Sequence, residues 1–180
     1  MVIWLTGLSG AGKTLISQKL VERFKVAVPE LVHIDGDEVR ALYGNDLAFD
    51  EDSRRKQIKR IQRLAKLLDL QGLLVVVAAL YSHPELLDWN RANFDDYLEV
   101  YLSAPLALVQ HRDAKGLYGK AMSGEMQHVV GMDIPWHAPA NPDLLIDGAL
   151  QEDPDALVVR IARMVPRLAQ ALGEEKVTAS

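Results

Sequence analysis

The sequence contains no cysteine among its 180 residues, which excludes disulfide bonds, thiolate metal sites and cysteine nucleophiles. It has no apolar run approaching the roughly 20 residues that a membrane helix requires, and its first residues lack the basic leader of a signal peptide. The formal net charge is −5, which gives no general attraction to nucleic acid or anionic lipid. We therefore expect a cytoplasmic protein that binds neither nucleic acid nor membranes.

Strand-like and helix-like stretches alternate along the chain, with no repeat or long linker between them. Short apolar runs predict strands at 2–6, 31–35, 73–80, 97–103 and 143–147. Helical spacing predicts helices at about 13–25 and 53–71, and a last helix that starts at Pro154 and is kinked or broken at Pro166. This alternation predicts a single α/β domain over 1–180, with a parallel sheet covered by helices on both faces.

A glycine-rich loop, "GLSGAGKT" (7–14), follows the first predicted strand and fits the pattern Gly-x4-Gly-Lys-Thr. Glycines let successive backbone N–H groups face an anion, and the next helix adds its positive end. Lys13 is expected to reach the β- and γ-phosphates of ATP, and Thr14 to bind Mg²⁺. The pattern predicts a P-loop NTPase-like fold. The residues expected to bind ATP are Gly7, Ser9, Gly10, Ala11, Gly12, Lys13, Thr14 and Leu15.

A second polar loop, "HIDGDEVR" (33–40), follows the second predicted strand. One of its carboxylates, Asp35 or Asp37, could hold Mg²⁺ through water, and the other could accept or orient a hydroxyl proton. Arg40 suits a phosphate or sulfate, because its guanidinium makes paired hydrogen bonds. Since the carboxyl ends of parallel strands share one edge of a sheet, both loops should meet there.

The sequence resembles the adenylylsulfate (APS) kinase family of P-loop kinases. The resemblance rests on stretches that occur in the family's order: "GLSGAGKT" (7–14), "DGDEVR" (35–40), "NDLAFDEDSRRKQIKR" (45–60), "RDAKGLYGKAMSGE" (112–125) and "GMDIPWHAPANPDLLID" (131–147). It implies transfer of the γ-phosphate of ATP, with Mg²⁺, to the ribose 3′-hydroxyl of adenosine 5′-phosphosulfate. A homodimer is a further expectation.

The resemblance also implies roles for individual residues. Lys13, Asp35, Asp37 and Lys115 are the expected catalytic residues, with Asp37 orienting the acceptor and Thr14 and Asp35 acting through Mg²⁺. The expected acceptor site consists of Asp37, Arg40, Phe49, Arg54, Gln57, Tyr81, Lys115 and Val129. A mobile lid over ATP is expected at about 112–135, where Arg112 binds ATP and Lys115 and Lys120 neutralise developing charge.

Several positions depart from the family pattern, and two of them bear on the acceptor base. Tyr81 stands where the family has a serine, and Val129 stands where it has an aromatic that stacks on the adenine of APS. These changes suit either a weaker APS site or another base. A branch that phosphorylates cytidine diphosphoramidate, in capsule phosphoramidate synthesis, resembles this chain at "MVIW" (1–4) and "WNR" (89–91).

Two other functions stay open at this stage. One is a non-catalytic module that senses ATP, which the intact loops at 7–14 and 35–40 disfavour. The other is a P-loop kinase for a small molecule that is not a nucleotide, which Phe49 and Arg54 disfavour. The five histidines show no spacing typical of a metal site.

Overall fold

The computed structural model describes residues 1–113, 116–150 and 152–178. Its sheet has five parallel strands in the order β2-β3-β1-β4-β5. The strands are β1 (Val2–Thr6), β2 (Leu31–Asp35), β3 (Leu74–Ala79), β4 (Tyr97–Ser103) and β5 (Leu144–Asp147). The predicted α/β class and parallel sheet are confirmed, and all five strands lie within a residue of their predicted bounds.

Helices connect the strands and cover both faces of the sheet. They are α1 (Lys13–Phe24), α2 (Gly36–Leu42), α3 (Glu51–Asp69), α4 (Pro84–Asn93), α5 (Leu106–Arg112), α6 (Leu117–Met122), α7 (Pro154–Ala162) and α8 (Pro166–Thr178). No helix in the described ranges is both long enough and apolar enough to cross a membrane.

The central strands carry the core. Every residue of β1 and β3 is buried, because each of these strands has a neighbour on both sides and helices on both faces. This burial explains why the two strands read as continuous apolar runs rather than as alternating ones. Trp4 of β1 and Phe24 of α1 are among the largest fully buried side chains.

Capping groups and prolines set the helix ends. Helix α3 begins at Glu51, two residues before the predicted start, because the side chain of Asp50 accepts a hydrogen bond from the backbone N–H of Ser53. Pro166 breaks the last predicted helix completely and becomes the first residue of α8. Asp153 precedes α7 as predicted, but its side chain makes no capping hydrogen bond.

Candidate active site

The loop between β1 and α1 is shaped by close backbone contacts. A Cβ atom on Gly7 would lie 2.5 Å from the carbonyl oxygen of Leu102, so only glycine fits there. Gly12 precedes α1 with φ of 99°, in the left-handed region that glycine favours. The Lys13 side chain is buried, and its Nζ donates to the carbonyls of Gly7 (2.8 Å) and Leu8 (2.9 Å). The loop therefore holds an ammonium group within a curled backbone, as an anion site requires.

Thr14 and Asp35 join this loop to the end of β2. The Thr14 hydroxyl donates to Oδ2 of Asp35 across 3.0 Å, while Oδ1 of Asp35 accepts from the backbone N–H of Asp37 at 2.8 Å and caps α2. A hydroxyl and a carboxylate side by side are oxygen ligands of the kind that Mg²⁺ prefers. The residues present thus fit the predicted magnesium position.

One cavity of about 520 Å³ connects the two loops with α3 and the end of β3. Most of the predicted site residues line it: Ser9, Gly10, Gly12, Lys13, Thr14, Leu15, Asp35, Asp37, Arg40, Phe49, Arg54, Gln57 and Tyr81. The cavity is therefore large enough for a sizeable ligand, and it places the phosphate loop and the predicted acceptor residues in the same space.

Two arginines bracket Phe49 in this cavity. The Arg40 guanidinium lies 4.5 Å from the centre of the Phe49 ring and that of Arg54 lies 5.7 Å from it. Arg40 donates to the carbonyls of Leu47 and Ala48, and Arg54 donates to those of Phe49 and His128. Burial, with a smaller contribution from the charge of Arg40, lowers the pKa of Arg54. The two cations thus create a strongly positive region around an aromatic ring that is 53% exposed.

Gln57 lines the cavity and has one buried acceptor atom without a partner in the described part of the chain. Its Nε2 donates to the carbonyl of Gly36 at 3.1 Å, while its buried Oε1 has no hydrogen-bond partner in the described part of the chain. A buried carbonyl without a partner is costly.

Tyr81 lines the cavity at the end of β3 and binds a residue that the sequence analysis did not single out. Its hydroxyl donates to Oε1 of Glu51, in the first turn of α3, across 2.7 Å. Burial and this hydrogen bond raise the pKa of Tyr81 to about 12, and the same bond lowers the pKa of Glu51. Glu51 could not be found from sequence spacing, because it is 30 residues away from Tyr81.

The described part of the predicted lid contacts the phosphate loop. Tyr118 of α6 is buried and its hydroxyl donates to the carbonyl of Ser9 at 3.1 Å. The carboxylate of Asp113 accepts from the backbone N–H groups of Tyr118 and Gly119 at the start of α6, and these bonds lower its pKa. Asp113 and Tyr118 both line the cavity and were not predicted to do so. Lys115, a predicted catalytic residue, lies outside the described residues.

Four predicted site residues do not line the cavity. Gly7 and Ala11 lie within the phosphate loop but behind its inner surface, and Arg112 donates to the carbonyl of Gly148 at 3.2 Å. Val129 departs most from its predicted place beside an acceptor base. Its side chain is 1% exposed and packs in the core, and its backbone N–H donates to Asp133. Val129 is therefore buried in the core and does not line this cavity.

Comparison with protein families gives a match over most of the chain. The sequence model of the family described as adenylylsulphate kinase matches residues 1–147. This range contains the two polar loops, the cavity and the described part of the lid, and it ends with β5.

Two of the similar curated relatives have different activities. The chain is 40% identical over 152 residues to an adenylyl-sulfate kinase of Picosynechococcus sp., which covers 84% of this chain and 86% of that protein. It is 36% identical over 165 residues to the cytidine diphosphoramidate kinase of Campylobacter jejuni, which covers 89% of this chain and 96% of that protein.

Solved structures share the fold. The Mycobacterium tuberculosis APS kinase, in complex with AMPPNP and APS, superposes with a TM-score of 0.83 at 30% identity, over 92% of this chain and 96% of that one. A shikimate kinase from Aquifex aeolicus, 17% identical with a TM-score of 0.50 over 96% of this chain and 99% of that one, shares the fold alone.

Proposed function

Because this chain belongs to the adenylylsulfate kinase family of P-loop kinases, we propose that it transfers the γ-phosphate of ATP to the ribose 3′-hydroxyl of adenosine 5′-phosphosulfate. One observation carries the proposal: a single cavity contains both the phosphate loop and the Arg40–Phe49–Arg54 cluster. Phosphoryl transfer depends mainly on holding donor and acceptor in line within a charged, water-poor space. A cavity with an anion site at each end suits that task.

The phosphate loop would hold ATP. The loop and the first turn of α1 line the cavity, and the positive end of α1 favours an anion there. Lys13 now donates to two loop carbonyls, and a rotation of its side chain would bring Nζ to the β- and γ-phosphates. Bound between Thr14 and Asp35, Mg²⁺ would neutralise charge on those phosphates.

Asp37 is the residue proposed to orient the acceptor hydroxyl. It lies two residues beyond Asp35, in the first turn of α2, and lines the same cavity as the phosphate loop and the arginine cluster. A carboxylate at this point can accept a hydrogen bond from the 3′-hydroxyl and direct its oxygen toward the phosphate. Asp35 contacts Thr14 and the N-terminus of α2, and this position beside the phosphate loop suits a magnesium ligand.

Phe49 and its two arginines are proposed to bind the acceptor nucleotide. The exposed Phe49 ring offers a stacking surface for a base, and the guanidinium groups offer charge-assisted hydrogen bonds to a 5′ phosphosulfate. Both arginines already donate to backbone carbonyls of 47–49 and 128. Their remaining N–H groups would face the ligand, so these contacts fix the guanidinium planes before the acceptor arrives.

Cytidine diphosphoramidate is a second candidate acceptor, favoured by the Tyr81–Glu51 pair. Where the family has a small serine, this chain has a phenol held by a carboxylate. A larger side chain at the end of β3 would leave less room for a purine and would thus favour a pyrimidine base. The similarity to the Campylobacter jejuni enzyme over 96% of its length supports this alternative.

The two acceptors are separated by their kcat/KM values at fixed MgATP, measured by ADP release. A preference for APS of about 100-fold, or roughly 2.7 kcal/mol of transition-state binding, supports the first candidate and removes the second. The reverse preference supports the second. The matched variants Tyr81→Ser and Tyr81→Phe show whether the phenol sets the preference, since Tyr81→Ser restores the family residue. Three further predictions are retained as part of this proposal. They are a single domain over 1–180, a lid at about 112–135 and a homodimer.

A further inference from the structure

We propose that Glu51, His83 and His137 form a binding site for a divalent transition-metal ion, with Zn²⁺ as the best-fitting ion, beside the acceptor end of the cavity. One potential ligand atom from each residue lies within 4.8 Å of the other two. Within the described ranges, no other group of three such side chains meets this distance. The proposal does not depend on which nucleotide the enzyme phosphorylates.

The ligand chemistry is that of zinc. Two imidazoles and one carboxylate are the protein ligands of many zinc sites that keep a further position for water or substrate. Ligand atoms around a tetrahedral Zn²⁺ at about 2.0–2.2 Å lie roughly 3.4 Å apart. Side-chain movements of about 1 Å would bring the ligand atoms from their present separations to that distance. The ring centres of His83 and His137 are 5.0 Å apart with the rings edge to face, so both rings already border one space.

Neighbouring contacts hold two of the three ligands, Glu51 and His137, in place. The hydroxyl of Tyr81 donates to Glu51, the kind of outer hydrogen bond that orients a ligating carboxylate. The hydroxyl of Ser82 donates to the carbonyl of His137, which ties the loop before β5 to the start of α4. Burial and the nearby Arg55 charge lower the pKa of His83, and this direction favours the neutral imidazole that a metal ion binds.

The positive charge of Arg55 would oppose the binding of a metal ion to this cluster. Its guanidinium lies 3.4 Å from Nδ1 of His83 and 3.6 Å from Oε1 of Glu51, and it also pairs with Glu85 at 3.0 Å. A fixed cation this close weakens the binding of a dication. Glu85 is largely exposed, so Arg55 can follow it outward when an ion enters. Removal of the Arg55 charge should therefore strengthen metal binding.

The residues come from three separate places in the sequence, which is why spacing did not reveal them. Glu51 begins α3, His83 precedes α4 and His137 lies in the loop before β5. Glu51 also binds Tyr81, which lines the cavity. An ion held by Glu51 would thus fix the wall of the acceptor site through that hydrogen bond.

The test is calorimetric titration of the full chain with Zn²⁺ in excess Mg²⁺, which saturates the magnesium position at Thr14 and Asp35. We expect one Zn²⁺ per chain. His83→Ala, His137→Ala and Glu51→Gln should each weaken binding by at least about tenfold. His111→Ala, an exposed histidine on α5, and Asp35→Asn should leave it unchanged. Arg55→Gln should strengthen it several-fold.

A second measurement does not depend on the folding of a variant. Co²⁺ added to the unaltered protein should give intense visible absorption bands, typical of a four- or five-coordinate site, and Zn²⁺ should remove them. Absence of stoichiometric Zn²⁺ binding, or binding that survives in both histidine variants, overturns the proposal. Weaker Zn²⁺ binding in Arg55→Gln also contradicts it, because the guanidinium would then support the cluster instead of competing for it.

Discussion

The hydroxyl of Thr14 donates a 3.0 Å hydrogen bond to Asp35, although the strands that precede these two residues are not neighbours. Thr14 lies in the first turn of α1, after β1, and Asp35 ends β2, while β3 runs between the two strands. The bond therefore crosses the carboxyl end of β3 and connects the phosphate loop with the loop that carries Asp37. The chemistry proposed for this enzyme depends on that connection.

Replacement of Lys13 by alanine should abolish most of the activity and preserve the fold. Lys13 supplies the positive charge within the phosphate loop, and loss of one such group in a preorganised site lowers kcat on the order of 10³-fold. Steady-state ADP release with a thermal melt checks this. Lys19→Ala, which removes an exposed lysine of the same helix that pairs with Asp155, is the matched control and should keep normal turnover. Normal turnover in Lys13→Ala would contradict the role of the loop.

The two carboxylates should respond differently to replacement by asparagine. Asp37→Asn removes the group that orients the acceptor hydroxyl, so kcat should fall by about 10²-fold or more with little change in KM for ATP. Asp35→Asn keeps a side-chain oxygen that can cap α2 but weakens the magnesium position, so its activity should recover in part at high Mg²⁺. A collapse of ATP affinity in Asp37→Asn, with kcat spared, would show that these roles are reversed.

Ionisation of Tyr81 should lower the stability of the folded protein at alkaline pH. Its pKa in the folded protein is raised to about 12 from an ordinary value near 10. A raised pKa stabilises the fold fully below pH 10, and that contribution is lost as the pH rises from about 10 to about 12. The thermal midpoint should therefore fall less steeply over this interval in Tyr81→Phe than in the unaltered chain. Tyr43→Phe, an exposed tyrosine, is the control. Equal slopes in all three proteins would be the contrary result.

Nucleotide should protect the segment around α6 from proteolysis. Tyr118 joins this helix to the phosphate loop through Ser9, and Lys120 on the same helix is exposed, so trypsin can report on its opening. MgADP should slow cleavage at Lys120 in the unaltered chain and have little effect in Lys13→Ala. Tyr118→Phe should show weaker protection. Cleavage that is indifferent to saturating MgADP would argue against a lid that closes on nucleotide.

The sheet could be predicted from the sequence because its central strands are buried on both faces. Strand β3 reads as an unbroken apolar run, and the loops after β1 and β2 carry the glycine and carboxylate residues from which their chemistry was predicted. The common edge for Gly12 and Asp35 then follows from parallel topology alone. These features are local, so a sequence displays them.

The contacts between distant side chains could not be predicted. The placement of Val129 beside a base was an inference from resemblance, and the turn around Asp133 instead directs Val129 into the core. The bond from Tyr81 to Glu51 depends on how α3 packs against the end of β3, which no sequence period encodes. Asp113 and Tyr118 were missed for the same reason, since only the fold brings α6 onto the phosphate loop.

The measurement that tests the central claim most directly is acceptor-dependent phosphoryl transfer with the site of phosphorylation identified. The unaltered chain is incubated with MgATP and either APS or cytidine diphosphoramidate, ADP is quantified, and the product is examined by ³¹P and ¹H NMR. We predict that one of the two acceptors stimulates ADP formation stoichiometrically and gains a phosphate on its ribose 3′-hydroxyl. ADP formation that neither acceptor stimulates, or a phosphate on any other atom, would contradict the account.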